Sequence, residues 1–390
     1  MRLFRFIILL SSAVLLTACK DNSPPQTAEI SSGEEITRYV QELEHLDLNL
    51  PDKSFTPLNY KEQRGIWYPF MDYESYMLGK SEDEFRSFVK NMFHQAKEQS
   101  FNTVYVHVRP YGDAYYNSQL FPKGTFLDGD YDPLLIMTEE AHSLSLSIHA
   151  WINPLRCQTV EEMKNIPDSF TIKKWADSNT GTFINIVNNR YYLNPAYDEV
   201  RQLICGGAEE ILRNYEVDGI HIDDYFYPCT APEFDSIAFE NSGSSDLAQW
   251  RLDNCSKLVK SLYDTVKKSD SRLVFGISPQ GNINANYSTQ YADVKLWCST
   301  PGYCDYIVPQ IYFGFNNETC PFAETLSAWE SLVTCPDVSL IIGLGAYKLG
   351  KEDKWAGSAG EAEWIENPNI IQQQIELAEQ SSASGYALYY

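Results

Sequence analysis

From residue 64 onward the chain repeats one pattern: a short run in which apolar residues alternate with others, then a longer polar stretch with apolar residues every three or four positions. The first period puts successive side chains on opposite faces of a strand, and the second gives a helix one apolar face. RGIWYPF, residues 64–70, reads as a strand, and SEDEFRSFVKNMFHQAKEQS as the helix after it. Phe85, Phe88, Val89, Met92, Phe93 and Ala96 would share its inner face, and Ser81 with Glu84 forms a capping box at its start. NTVYVHVR with a helix near Pro133–Ser143 repeats the unit. SIHAWINP is a third strand, followed by a long excursion and a helix over Tyr197–Tyr215; VDGIHIDD is the fourth, with a helix over Leu247–Lys268. RLVFGISPQ, CDYIVPQIYF and SLIIGLGAY supply strands five to seven, with helices near Gln290–Trp297, Pro321–Val333 and Asn369–Glu379, and GYALYY is the eighth strand.

Such alternation produces a parallel sheet, and eight strands predict an α/β fold closed as a (β/α)8 TIM barrel, with its active site at the C-terminal ends of the strands. The last strand has no helix after it, so the expectation is that a further segment or the N-terminal segment covers that flank.

The barrel takes residues 60–390. Before it, Arg2 and Arg5 precede an apolar run, Phe6–Leu16, too short to span a bilayer comfortably, which marks residues 1–19 as an export signal. Its ending, Leu16-Thr17-Ala18-Cys19, resembles a bacterial lipobox, which implies acylation of Cys19 and anchoring on a membrane surface. Residues 20–59 are rich in Ser, Pro, Thr and Glu, with one weakly amphipathic stretch at Ile36–Leu46, and read as a tether.

The formal charge of -23 sets such a surface against nucleic acid and anionic lipid, both of which it repels. Eight cysteines follow Cys19 without CxxC or Cys/His spacing, so no zinc site is indicated and no cofactor is called for. Cys298 with Cys304, or Cys320 with Cys335, are candidate disulfides.

Alternation also sorts the strand residues. Tyr105, His107 and Arg109 would turn to the barrel axis, as would His149, Trp151 and Asn153, then His221 and Asp223, then Gly276, Ser278 and Gln280, then Gln310 and Tyr312. Branched apolar side chains would fill a barrel built for stability alone; polar groups together at one end are costly unless they bind something. Three readings are open. His107, His149 and His221 beside Asp223 could ligate a metal for a hydrolase, the abundant Tyr and Trp could form a non-catalytic sugar site, or Asp223 could serve a glycosidase. Glycoside hydrolysis needs one carboxylate at the anomeric carbon and a second as proton donor. Asp223 suits the first role, on a strand, DGIHID, like the nucleophile strand of alpha-amylase barrels. The donor candidates are Asp224, Asp72, Asp113 and, more remotely, Glu318; Asp224 is alternatively a residue that fixes the following loop, and serves as donor only if the strand ends or bulges there.

RGIWYPFMDYESYMLGKSEDEF, NTVYVHVRPYGDAYYNSQLFP, YDPLLIMTEEAHSLSLSIHAWINPLR, YYLNPAYDEVRQ, DGIHIDDYFYP, FGISPQGN, DYIVPQIYFGF and IIGLGAYKLG together resemble the glycosyl hydrolase-like family 10, in order from about residue 64 to 390. The resemblance implies an exported glycosidase-like barrel. It carries the family's motifs onto Asp223 and Asp224, Arg109 and Asp113, and Trp151 and Asn153. It also implies a glycan substrate, with peptidoglycan glycan strands first and other cell-surface or dietary polysaccharides behind. Two departures stand out: no Trp-Ser follows Phe121-Pro122, and the excursion Cys157–Asn189 is individual to this chain. The expected arrangement has Trp151, Tyr225 and Tyr312 stacking on sugar rings and Asn153, Gln280 and Gln310 holding hydroxyls. His221 and Arg109 would keep Asp223 ionised.

Overall fold

The computed structural model describes residues 55–178 and 181–390; the expected export signal, Cys19, the Ile36–Leu46 stretch and most of the expected tether lie outside the described residues. Twelve strands are present among those described. In chain order they are β1 (Gln63–Tyr68), β2 (Thr103–Arg109), β3 (Ser147–Ile152), β4 (Arg156–Thr159), β5 (Ile184–Val187), β6 (Arg190–Leu193), β7 (Gly219–Ile222), β8 (Val274–Ile277), β9 (Tyr306–Ile307), β10 (Ser339–Leu340), β11 (Ile342–Gly345) and β12 (Gly385–Tyr389).

Nine of these form one sheet in the order β10-β9-β8-β7-β3-β2-β1-β12-β11, every pairing parallel. Only Ile341 separates β10 from β11. β10 pairs with β9 and β11 with β12, so the two are halves of one stave that closes an eight-stave barrel. Pro279 and Pro309 follow β8 and β9 and keep them short, because proline has no N–H to give the ladder.

The first long helix, Glu82–Glu98, starts at the Ser81/Glu84 capping box and buries Phe85, Val89, Phe93 and Ala96. Phe88 departs from the expected inner face: it is exposed and stacks on Tyr76, with ring centroids 4.2 Å apart. The helix expected near Gln290–Trp297 is instead two, Ile283–Thr289 and Val294–Ser299, each opened by its own side-chain cap, Asn282 and Asp293. Tyr291 between them has φ 52°, a left-handed conformation that ends helical winding.

Aromatic rings fill the barrel and lie across neighbouring staves where these carry glycine. A Cβ on Gly65 would lie 2.6 Å from the Tyr105 ring, and one on Gly276 would fall inside the Tyr306 ring. Trp67, Tyr105, Trp151 and Tyr306 pack there with Val308, Ile341 and Ala387. Residues 55–60 lie beneath β3, β7 and β8, not along β12: Leu58 donates its N–H to Asp218, Arg272 donates to the Phe55 carbonyl, and Phe55 stacks on His142. The excursion after β3 forms a separate antiparallel sheet, β4-β6-β5. All eight cysteines from Cys157 onward carry free thiols, so neither candidate disulfide is present.

Candidate active site

Midway up the barrel, five side chains form one directed chain of hydrogen bonds. Trp67 Nε1 can only donate, and its partner is His221 Nε2 at 3.1 Å. His221 therefore carries its proton on Nδ1 and donates it to Tyr306 Oη, 3.0 Å away. The Tyr306 hydroxyl then donates to His149 Nδ1 at 2.6 Å, and His149 Nε2–H to Ser147 Oγ at 3.0 Å. Both imidazoles are neutral. Burial holds the His149 pKa down, to about 4, and places His221 well below the ordinary range, with His149 and His107 lowering it further.

Above this chain, where the staves end, lies a cavity of about 370 Å³. β7 ends at Ile222, and the next two residues, Asp223 and Asp224, both line the cavity because the backbone has left the alternating strand geometry. Asp223 accepts the Tyr225 N–H at 3.3 Å, and Asp224 accepts from Gln310 Nε2 at 3.4 Å. His107 stacks face to face on Trp151, 3.7 Å between centroids and 7° between planes, and neither of its buried ring nitrogens has a hydrogen-bond partner. Trp151 Nε1 donates to Asn153 Oδ1. The Arg156 guanidinium lies between two aromatic faces, 4.7 Å from the Tyr111 centroid and 4.2 Å from that of Tyr225. Tyr312 and Tyr389 stack 6.0 Å apart with Tyr347 edge-on to both.

Burial pushes both acids above the usual carboxylate range. It does so further for Asp223, to which the charge of Asp224 adds, while Arg156 opposes the rise at both. The pair therefore keeps a proton to higher pH than free aspartates do. A carboxylic acid beside a carboxylate is what acid–base cleavage requires. Burial first, and the Arg156 charge second, hold the His107 pKa well below the ordinary value.

Among the residues expected at the site, Asp223, Asp224, His107, Trp151, Asn153, Tyr225, Gln310 and Tyr312 meet around this cavity. Others do not. A bulge in the pairing of β2 with β3, between His107 and Arg109, breaks the alternation. Arg109 consequently turns outward, stacks 4.4 Å over Phe121 and donates to the Ile204 carbonyl. It cannot set the charge state of Asp223, and neither can neutral His221; Arg156 is the cation that faces it. Asp113 is buried away from the cavity, accepts the Tyr111 N–H and is raised to about 7 by that burial. Asp72 sits on the outer flank beside Tyr76 and Tyr390. Glu318 braces a loop by accepting from Ser358 and Ala359. Gln280 bridges Gln310 through its backbone without lining the cavity. His149 and His221 spend every ring nitrogen on protein partners, which removes them from the ligand set of a metal reading. No cluster of three or more His, Cys, Asp or Glu able to hold a metal occurs among the described residues.

The cavity also contains residues that sequence reasoning missed: Trp67, Phe70, Met71, Tyr111, Arg156, Tyr347 and Tyr389. Trp67 and Tyr389 follow from the alternation of the first and last strands. Arg156 has no place in the strand alternation, because it opens β4 after β3 has ended; the signal that could have found it is its position at the end of the family-like stretch YDPLLIMTEEAHSLSLSIHAWINPLR. A larger groove, about 930 Å³, lies among outer helices around Arg201, Lys257 and Lys260, remote from the strand ends and the acid pair.

Residues 62–359 match the model of the family described as glycosyl hydrolase-like 10. The Bacillus subtilis (strain 168) protein glycosyl hydrolase YngK is 31% identical over 320 residues, which cover 74% of this chain and 61% of that protein, so the chain spans under two thirds of this relative. The Escherichia coli K12 protein glycosyl hydrolase DigH is 26% identical over 412 residues, 95% of this chain and 88% of its own. Among solved structures, the PgaB (BpsB) glycoside hydrolase domain from Bordetella bronchiseptica shares the fold with a TM-score of 0.57 at 12% identity, over 84% of this chain and 94% of that one.

Proposed function

The chain belongs to the glycosyl hydrolase-like 10 family, and from that membership and the geometry of the cavity we propose that it is a glycoside hydrolase of the cell envelope, acting first on peptidoglycan glycan strands. One observation carries the reading. Two adjacent acids, both raised by burial, share with the Arg156 guanidinium a cavity lined by aromatic rings, at the C-terminal ends of a barrel's strands.

In this mechanism the roles expected from the sequence are exchanged: Asp223, the more deeply buried acid, holds the proton and delivers it to the glycosidic oxygen, in place of Asp224. The bond between that oxygen and C1 breaks, and its electron pair leaves with the protonated oxygen. Asp224, held by Gln310 and nearer the solvent, carries the negative charge toward the oxocarbenium-like C1. Water completes the reaction by adding hydroxide to C1 and returning a proton to the pair. Arg156 keeps the pair from taking up a second proton. Trp151, Tyr225 and Tyr312 offer faces for sugar rings and Asn153 a polar contact for hydroxyls, and a shift of the His107 ring, whose unpaired nitrogens are buried at the cavity wall, would offer more. Acylation of Cys19 would hold the enzyme at the membrane beside its polymer. The test is to incubate the protein with purified glycan strands and a panel of other polysaccharides and to assay new reducing ends. Release from a glycan, abolished by Asp223→Asn in a folded variant, is the expected result. Binding without any release would make the cavity a carbohydrate-binding site only.

A further inference from the structure

The connection from β11 to the helix Ile370–Glu379 leaves the C-terminal end of its stave at the cavity, which Tyr347 lines. Its backbone is tied at many points. Lys348 pairs with Asp353 at 2.7 Å, and Asp353 donates its N–H to the Glu361 carbonyl. Gly350 donates to the Trp364 carbonyl, and the Ala356 carbonyl accepts the Glu318 N–H at 2.8 Å. Ala356 and Trp364 are buried. Between these ties, Trp355 donates its own N–H to Asp353 yet leaves 91% of its surface in water. Trp67, Trp151, Trp297, Trp329 and Trp364 are buried, and Trp175 and Trp250 are half-buried.

A large indole held out from a rigid support forgoes the burial its area would gain, which makes it a prepared face for something that stacks. The chemistry of that partner follows from its neighbours. The same segment carries Lys351, Glu352 and Lys354, all exposed and able to bond sugar hydroxyls, and Lys351 Nζ lies 5.8 Å from the centroid of the Tyr347 ring at the cavity. The loop is continuous with the cavity, because Tyr347 both lines it and is 37% exposed. Exposed large apolar side chains are also placed unevenly: Met71, Tyr225, Tyr347, Leu349, Trp355 and Ile365 all sit on connections that leave the C-terminal ends of staves.

We propose that Trp355 is a distal sugar-binding platform, which stacks on a pyranose of the same glycan chain beyond the units held in the cavity and makes the enzyme select long chains over short ones. This rests on the glycosidase reading of the cavity, and the experiment keeps the two apart. Peptidoglycan glycan strands are fractionated into a tetrasaccharide and a long-strand pool, and hydrolysis of each is measured with the full chain. Trp355→Ala raises KM on long strands about ten-fold, as expected for losing one stacked ring, with kcat unchanged and the tetrasaccharide unaffected. Trp355→Phe, which keeps a ring, recovers most of the loss. Equal losses on both pools, or none on either, overturn the platform.

Calorimetric binding of the same pools to Asp223→Asn, with and without Trp355→Ala, separates the readings. If the wild type releases no reducing ends but Trp355→Ala weakens long-strand binding, the glycosidase reading falls and the platform stands. If turnover is normal while binding ignores both chain length and Trp355, the platform falls alone. Loss of affinity for phospholipid vesicles in place of glycan on Trp355→Ala would also overturn it.

Discussion

Two levels of the same barrel carry inward-facing polar groups, and they are finished differently. At the middle level, His149, His221, Tyr306 and Trp67 satisfy one another, with the proton positions fixed by the donor-only indole. At the upper level, His107 has both nitrogens unbonded and two acids hold pKa values raised by burial. Both levels are buried in rings and both look equally costly from the pattern of residues. The difference is closure: groups that complete one another support the fold, and groups left incomplete await a ligand.

The sharpest break between the levels is expected at Asp223. Asp223→Asn keeps shape but removes the transferable proton, and hydrolysis falls by about 10²–10⁴-fold. The same variant is expected to be more stable than the parent at neutral pH. A carboxyl whose folded pKa is raised contributes its stability below its ordinary pKa of 3.8 and loses it as pH rises through the folded value. The advantage of Asp223→Asn therefore disappears in melts near pH 3, where the acid is protonated folded or unfolded. Identical melts at every pH would show that burial does not perturb this acid.

The middle level has the opposite sign. His149 is lowered to about 4 from its ordinary 6.5, so its contribution is complete above pH 6.5 and is lost as pH falls toward 4. The shift corresponds to about 3 kcal/mol, and urea titrations at pH 7 and pH 4.5 measure most of it. His149→Gln should flatten that dependence, while Asp223→Asn, which removes a contribution of the opposite sign over the same window, should steepen it. Tyr306→Phe gives a smaller effect of the same kind. It leaves His221 Nδ1–H and His149 Nδ1 without partners, which costs about 2 kcal/mol, and urea midpoints should fall accordingly. Activity measured well below the melting point is expected within about three-fold of wild type, because Tyr306 does not line the cavity. A large fall in kcat without loss of stability would erase the distinction between the levels.

Alternation along the strands was enough to find the barrel and the faces of its staves, because a period of two is local and burial enforces it. It identifies a face but not a height: His107 and His149 read alike in sequence, yet one lines the cavity and the other lies in the closed chain. It fails where geometry departs from the strand. A single bulge in β2 sent Arg109 outward, toward a helix whose Gly207 leaves room for it. Leaving β7 at Ile222 brought Asp224 to the cavity beside Asp223. Arg156, the cation opposite both acids, belongs to the excursion that forms the β4-β6-β5 sheet, and its position depends on how that sheet folds back over the barrel. Most of the site on the strands or just beyond their ends was therefore legible, with Trp67 and Tyr389 overlooked there, while Tyr111 and Arg156, supplied by connections and the added sheet, were not.

His107 provides the most delicate test of closure, because it is about as deeply buried as His149 yet has no partners. Replacing it with Phe keeps a flat ring against Trp151 and removes two nitrogens that bond nothing in the protein. Removing a polar group that is already unsatisfied relieves a desolvation cost, so stability should hold or rise slightly, where the same change at His149 strands Tyr306 and Ser147. If the open nitrogens serve a sugar hydroxyl, the loss shows in substrate binding: KM rises about ten-fold, the worth of one or two lost hydrogen bonds, with kcat nearly constant. A His107→Phe variant that loses several kcal/mol of stability would place His107 with the closed groups of the middle level. One that keeps both stability and KM would show that an unbonded nitrogen in this cavity is not by itself the mark of a ligand contact.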